Sequence, residues 1–223
     1  MLPRSLSKIA TSPVQFALAS LLVMSIAMAD HTGFSEQLFT KIKTTYGAAT
    51  ELRVRKWQDL IHRGEGLSDE QKLERVNDFF NGARFVNDIE QWNKNDYWAT
   101  PLEFLAQDAG DCEDFSIAKY FTLKEMGMDS GKLRITYVKA LTLNQAHMVL
   151  AYYPTPSSIP VILDNINKRI KPANERSDLL PVYSFNADDL WLARSRNEQL
   201  RVGKPEQLNM WNELSERMIK ELM

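Results

Sequence analysis

The hydrophobic pattern of the chain changes near residue 130, and this change limits the fold to helices followed by strands. Before that point apolar residues recur about every four positions, the period of an amphipathic helix, as in Phe34, Leu38, Ile42 and Tyr46 before Gly47. After it they alternate or run continuously, as in strands, over residues 133–140, 146–153 and 160–164. The sequence therefore predicts an α+β fold in which N-terminal helices pack on an antiparallel sheet.

The chain contains a single cysteine, Cys112, at the start of a predicted helix that covers residues 112–126. Unpaired backbone N–H groups at a helix N-terminus carry partial positive charge, which favours a thiolate over a thiol. A free cysteine is often only a small buried apolar side chain. Cys112, however, is flanked by acidic residues, which are poor neighbours for an apolar core position. We therefore interpret Cys112 as a nucleophile.

A histidine and an aspartate follow Cys112 on two strand-like segments. His147 lies in the run 146–153 and Asp164 ends the run 160–164, and the proline- and serine-rich loop between these runs predicts a hairpin. Pairing across this hairpin would place Asp164 next to His147. A lone histidine in a core strand is usually structural, but thiol, imidazole and carboxylate are the components of a nucleophilic triad. We predict that Cys112 attacks a carbonyl group, His147 transfers its proton and Asp164 orients the imidazole.

Three carboxylates surround the predicted nucleophile: Asp111, Glu113 and Asp114. Their negative charge opposes formation of a thiolate and would raise the pKa of Cys112. Acidic residues in the first turn of a helix can simply complement the helix dipole. They can also bind a hard cation through oxygen ligands, and Ca²⁺ suits an exported protein. The residues by themselves leave both interpretations open.

Residues 1–29 have the pattern of a cleaved secretory signal peptide. Arg4 and Lys8 form a basic start, residues 14–28 carry an apolar core, and small residues occupy the two positions that a signal peptidase reads in Ala-Met-Ala at 27–29. The apolar stretch is short for a membrane span. We therefore predict an exported protein with no membrane span after cleavage.

Residues 30–223 are predicted to form one domain after removal of the leader. The full chain has a net charge of −2, and loss of the basic leader makes the mature protein more acidic, which argues against nucleic acid as a partner. An exported chain with one cysteine cannot form an internal disulfide. A lone thiol in an oxidising compartment is prone to oxidation, which favours a functional reason for keeping it.

Five short motifs together resemble those of one protein family. They are the segments Trp98–Pro101, Gly110–Asp114, Ala118–Phe121, His147–Leu150 and Leu163–Asn165, which read WATP, GDCED, AKYF, HMVL and LDN. In combination they are similar to the bacterial transglutaminase-like cysteine proteases, and in particular to the LapG-type periplasmic proteases that cut large surface adhesins. The resemblance covers essentially the whole chain after the leader.

The resemblance implies a papain-like, transglutaminase-like core with Cys112, His147 and Asp164 as the triad. It implies calcium dependence, with Asp111 and Glu113 at positions that match the family's calcium-linked residues. It implies a substrate, the N-terminal region of a large adhesin cut at a di-alanine motif, whose cleavage frees the adhesin and disperses biofilm. It also implies an inhibitory partner, the periplasmic domain of an inner-membrane cyclic di-GMP receptor that sequesters the protease.

Two other classes of function remain compatible with the residues. One is a different thiol acyl-transfer enzyme on the same core, either a transglutaminase or a cell-wall amidase. The other is a non-catalytic binding module, in which Cys112 is incidental and its replacement is tolerated. The donors to an oxyanion also stay open, because the backbone N–H of Cys112 is one candidate and the second comes from residues 95–98 or from Gln145.

Overall fold

The structure is a computed structural model that describes residues 33–195 and 198–222. The predicted signal peptide, residues 1–29, lies outside the described residues. The helices and strands of these described residues belong to one compact unit that begins at Glu36. Among the described residues, no helix has the length and apolar character needed to cross a membrane.

Six of the seven α-helices in the described part of the chain precede the main sheet. Their bounds are α1 Glu36–Tyr46, α2 Ala48–His62, α3 Asp69–Phe80, α4 Asp88–Gln91, α5 Pro101–Gln107, α6 Cys112–Glu125 and α7 Asn209–Leu222. Local signals set where two of them begin. Ser68 and Gln71 form a capping box at α3, and Thr100 and Glu103 form another at α5, where Pro101 occupies the first turn.

A seven-stranded sheet follows, as the change in hydrophobic period predicts. Its strands are β3 Leu133–Ala140, β4 Gln145–Tyr152, β5 Val161–Leu163, β6 Lys171–Pro172, β7 Leu179–Phe185, β8 Leu190–Ser195 and β9 Glu198–Gly203. They are ordered β6-β5-β4-β3-β7-β8-β9, and all neighbouring pairs are antiparallel. A separate parallel ladder joins β1 Arg84–Phe85 to β2 Ala109–Gly110. The hydrophobic pattern does not predict this ladder, because two-residue strands are too short to show alternation.

Helix α6 is the centre of the helical layer. It packs against β3 and β4 and also against α3 and α5, and 9 of its 14 residues are buried, as expected of a helix inside a core. The last helix, α7, closes the layer. Trp211 of α7 stacks on Phe121 of α6 with ring centroids 5.6 Å apart and meets Phe185 of β7 edge-on at 5.3 Å.

Candidate active site

A strand–turn–helix unit places Cys112. Strand β2 ends at Gly110, Asp111 is the N-cap residue, and Cys112 is the first residue of α6. Glycine is required before the N-cap, because a Cβ on Gly110 would lie 2.6 Å from Asp114 Oδ2 and 2.8 Å from Phe104 Cδ2. The thiol therefore sits at a helix N-terminus, as predicted, and close packing holds that terminus in place.

Asp114 has a structural role in this turn. Its side chain is completely buried, and its two oxygens accept hydrogen bonds from the backbone N–H groups of Ala99 (2.7 Å) and Asp111 (3.3 Å). Burial, together with the charge of Glu113, raises the pKa of Asp114 well above its usual range. Asp114 thus ties the segment before α5 to the start of α6.

The Cys112 sulfur lies between an acidic side chain and strand β4. Its thiol donates to Glu113 Oε2 at 3.0 Å, and the backbone N–H of Met148 on β4 acts to lower the pKa of the thiol. Burial and the negative charge of Glu113 raise the pKa of the thiol well above its usual range, which is the effect expected of the acidic flank. The thiol hydrogen bond thus goes to Glu113 and not to His147, the residue before Met148 on β4.

His147 on β4 and Asp164 directly after β5 come together, as the hairpin predicts. Strands β4 and β5 pair with Leu150 opposite Leu163, so the residue after β5 lies close to the start of β4. His147 Nε2 lies 2.9 Å from Asp164 Oδ1, and both side chains are almost fully buried. Because Asp164 engages Nε2, the other ring nitrogen, Nδ1, is the one left to take a proton from a nucleophile.

Two further groups hold the Asp164 carboxylate. The backbone N–H of Ile166 donates to Oδ1 at 2.9 Å, and Arg176 Nη2 donates to Oδ2 at 2.7 Å. Burial alone would raise the pKa of Asp164, but the hydrogen bonds from His147, Ile166 and Arg176 hold it well below its usual range. Asp164 is therefore an ionised acceptor for the His147 ring. The sequence carries no signal for Arg176, which lies in a polar segment typical of a loop.

A second polar network supports Asp164 through its backbone carbonyl. Asn81 Nδ2 and Lys119 Nζ donate to this oxygen at 2.9 and 3.3 Å. Lys119 Nζ also donates to Asn81 Oδ1 (2.9 Å) and Asn77 Oδ1 (3.0 Å). The network connects the helix that carries Cys112 to the segment that carries Asp164. Sequence reasoning missed these residues, although a lysine inside the apolar stretch of α6 is a signal that could have found Lys119.

The buried Lys119 predicts a pH dependence of the free energy of unfolding that can be tested. Burial lowers its pKa to about 7, against about 10.4 for a lysine in an unfolded chain. Between about pH 7 and 10 the unfolded chain therefore binds more protons, so the contribution of Lys119 to the free energy of unfolding rises with pH and is lost as pH falls through 7. We expect the free energy of unfolding of Lys119→Met, measured in urea, to fall increasingly below that of the wild type as pH rises across this window. A stability difference independent of pH contradicts this expectation.

Three carboxylates converge beside the thiol: Asp88 at the start of α4, Asp111 and Glu113. One oxygen from each lies within 4.8 Å of the others. Burial raises the pKa of Asp88 to about 6, and burial with the charge of Glu113 raises that of Asp111. Asp111 Oδ1 is buried and has no hydrogen-bond partner within the described residues. Converging oxygen donors that form no ion pair within the described residues and include an unpaired buried oxygen fit a hard cation such as Ca²⁺.

This acidic group differs by one residue from the predicted ligand set. Asp111 and Glu113 belong to it, but Asp88 occupies the place predicted for Asp114, whose oxygens are used by backbone N–H groups. Asp88 is oriented by the backbone N–H of Tyr97, which donates to Oδ2 at 2.5 Å. Asp88 lies far before Cys112 in the chain, so no local spacing in the sequence connects the two.

Comparison with known proteins gives matches over most of the chain. Residues 64–191 match the family described as bacterial transglutaminase-like cysteine proteinase BTLCP. EGTA-treated LapG from Legionella pneumophila is 45% identical with a TM-score of 0.73, covering 82% of this chain and 96% of that one. Calcium-bound LapG from the same organism is 44% identical with a TM-score of 0.72, covering 83% and 99%. No curated protein sequence gives a significant match.

These matches agree with the architecture and include the residues of the site. The family match spans Cys112, His147 and Asp164, and the structural match extends over the mixed helical and antiparallel fold. At this identity and coverage, the agreement concerns the whole domain rather than a local motif. The chain therefore belongs to the bacterial transglutaminase-like cysteine proteinase family and is a cysteine protease similar to LapG in sequence and fold.

Proposed function

We propose that the protein is a calcium-dependent periplasmic cysteine endopeptidase with a triad of Cys112, His147 and Asp164. One observation carries this proposal. Helix α6, which begins at Cys112, packs against β4, where the Met148 N–H acts to lower the pKa of the thiol and the preceding residue, His147, is bonded to the buried Asp164 carboxylate. A thiol, an imidazole and an ionised carboxylate thus meet at a helix N-terminus, which supports thiol-based acyl transfer.

The proposed reaction begins when the Cys112 thiol turns from Glu113 to His147 and transfers its proton to Nδ1. Sγ attacks the carbonyl carbon of the scissile peptide bond, and the Cys112 backbone N–H at the start of α6 stabilises the oxyanion. The imidazolium, held by Asp164, then gives its proton to the leaving amine. Water deprotonated by His147 hydrolyses the acyl-enzyme thioester and releases the thiol.

Asp88, Asp111 and Glu113 are the residues that would hold calcium. A bound dication supplies the positive charge that these carboxylates lack. Glu113 is both a member of this acidic group and the acceptor for the Cys112 thiol. If Glu113 binds calcium, it no longer accepts from the Cys112 thiol, and the thiol can donate to His147 instead. Proteolysis is therefore expected to depend on calcium. The calcium-bound and EGTA-treated structures of LapG support this proposal.

The proposed substrate is the N-terminal region of a large cell-surface adhesin, cut at a di-alanine site. Its cleavage would release the adhesin and promote biofilm dispersal. The proposed inhibitor is the periplasmic domain of an inner-membrane cyclic di-GMP receptor. The motif resemblance to LapG-type proteases and the 45% identity to LapG support both assignments. The predicted signal peptide supports a periplasmic location.

The test is incubation of the mature chain, residues 30–223, with a purified N-terminal adhesin fragment that contains a di-alanine motif. We expect a single cut at that motif in calcium, identified by mass spectrometry of the new N-terminus, and no cut in excess EGTA. A fragment with the motif changed to di-valine is the matched control. Cross-linked or deamidated products without new termini would favour a transglutaminase, and an unmodified fragment in calcium would contradict acyl transfer on this substrate.

A further inference from the structure

Arg176 is a buried cation in contact with the proposed triad. It follows the 3₁₀ turn Ala173–Glu175 and is only 3% exposed. Its Nη2 donates to Asp164 Oδ2 at 2.7 Å, whereas the other carboxylate oxygen, Oδ1, faces His147. None of the proton transfers proposed for the triad uses Arg176. A permanently charged side chain in this position therefore calls for a separate explanation.

Asp178 sets the orientation of Arg176. Nε donates to Asp178 Oδ1 at 3.0 Å and Nη2 donates to Oδ2 at 2.8 Å, which is the two-pronged contact of a planar guanidinium with a carboxylate. The backbone of Asp178 is held in turn, because Leu141 N–H donates to its carbonyl oxygen at 2.7 Å. His147, Asp164, Arg176 and Asp178 thus form one continuous series of charged hydrogen bonds.

We propose that Arg176 is a positioning residue of the triad, an inference that rests on the proposed function. Arg176 holds Asp164 with Oδ1 towards His147 and keeps the carboxylate ionised, so it acts on catalysis through Asp164. The guanidinium stays charged at all working pH values. Asp164 therefore keeps an ionic partner even when the His147 ring is neutral, which prevents the buried carboxylate from taking up a proton or turning away from the base.

Charged groups face Asp164 from every element packed around it. They are His147 and Arg176 at its carboxylate, Lys119 at its carbonyl oxygen, Lys168 beside Lys119, and Asp178 behind Arg176. Arg176 and His147 are the two that contact the carboxylate itself. Loss of Arg176 removes a hydrogen bond that favours the ionised form, so it raises the pKa of Asp164. The acid limb of the pH–activity profile, where activity falls as pH is lowered, then moves to higher pH.

The test measures kcat, KM and their pH dependence in calcium, with a fluorogenic peptide containing two consecutive alanines as the probe. Arg176→Met is expected to lower kcat roughly tenfold to a hundredfold, change KM little and shift the acid limb upwards. Arg176→Lys keeps the positive charge but loses the planar guanidinium that contacts Asp178 through two nitrogens. It should restore the acid limb and leave kcat below the wild-type value. Arg169→Met, at an exposed arginine of the same segment, is the matched control with wild-type kinetics.

Two more measurements separate positioning from a merely structural role. In an Asp164→Asn background, Arg176→Met should have no additional effect on kcat, because its action passes through that carboxylate. Nitrogen-15 NMR of the imidazole rings reports the His147 tautomer without any substrate, and the chain has only three histidines to assign. Arg176→Met is expected to lose the fixed Nε2–H tautomer of His147.

Each outcome decides one of the two proposals. A folded Arg176→Met protein with wild-type kinetics and an unchanged ring spectrum overturns the positioning role, as do additive effects in the double variant. If Arg176→Met fails to fold, Arg176→Lys provides the test: reduced kcat with an altered ring spectrum supports the role, and wild-type values overturn it. If the wild type does not cleave the peptide but Arg176→Met still alters the His147 imidazole spectrum, the proposed proteolysis is overturned and the positioning of His147 through the Arg176–Asp164 contact is not.

Discussion

Cys112→Ser is expected to abolish peptide cleavage, with kcat/KM reduced roughly 10⁴-fold or more, because loss of the nucleophile removes the whole covalent route. The serine hydroxyl keeps the shape of the side chain and can still donate to Glu113. The melting temperature should therefore stay close to that of the wild type. Cleavage assays in calcium, run beside thermal unfolding, measure both quantities. Substantial cleavage by a pure Cys112→Ser protein would exclude Cys112 as the nucleophile.

The other members of the triad should follow a defined order. His147→Gln is expected to be as inactive as Cys112→Ser, because among the described residues His147 is the imidazole next to β4 that can take the thiol proton, whereas Glu113 is proposed to bind calcium. Asp164→Asn should be impaired but retain some turnover, since an orienting carboxylate contributes less than the base itself. His62→Gln, at an exposed histidine that ends α2, is the matched control. Near-normal activity in His147→Gln would place the general base elsewhere.

Removal of calcium is expected to stop cleavage, and added Ca²⁺ is expected to restore it. The physical reason is the arrangement of Asp88, Asp111 and Glu113, which brings three carboxylate oxygens within 4.8 Å of one another. Binding to the folded state alone also stabilises it, by about 2.7 kcal/mol at a calcium concentration of 100 times Kd. EGTA titration of activity and calcium-dependent melting curves measure the two effects. Full activity in excess EGTA, with no calcium-dependent shift in melting, would leave these carboxylates without a metal role.

Single substitutions locate the calcium site. Asp88→Asn should weaken calcium binding roughly tenfold or more in calorimetry, because a carboxylate ligand becomes a neutral amide. Glu90→Gln, at an exposed acid on the same short helix, is the matched control and should bind as the wild type does. Asp114→Asn should lower the melting temperature without a selective loss of calcium affinity, since its oxygens serve two backbone N–H groups. Wild-type calcium affinity in Asp88→Asn would return the ligand set to the residues adjacent to Cys112.

Local features of the chain were sufficient to predict the elements that carry the proposed triad. The helix after Cys112 is predicted for residues 112–126 and observed at Cys112–Glu125, because helix periodicity and an acidic first turn act over a few residues. The pairing of β4 with β5 follows from alternation and from a short polar loop. That pairing brings His147 to 2.9 Å from Asp164. These predictions succeeded because the interactions behind them join neighbours in the chain.

The acidic group beside the thiol shows what local reasoning leaves open. Asp111, Glu113 and Asp114 are equivalent as acidic residues in one helical turn, and the sequence does not rank them. Packing distinguishes the three residues. Asp114 faces inward and accepts from the Ala99 N–H, whereas Asp111 and Glu113 face Asp88. Which carboxylates converge depends on the direction in which each side chain leaves the helix and on the position of Asp88, which comes from a distant segment of the chain.

The sequence by itself determined the α+β class, the cysteine at a helix start, and the histidine and aspartate brought together by neighbouring strands, because hydrophobic period and turn chemistry are local properties. Only the tertiary structure decided that Asp88 joins the acidic group, that Arg176 binds the Asp164 carboxylate and that Lys119 supports the Asp164 carbonyl. These contacts bring together buried polar groups from separate segments. Each buried charge must find its partner wherever the packed fold places one, and no pattern along the chain encodes that choice.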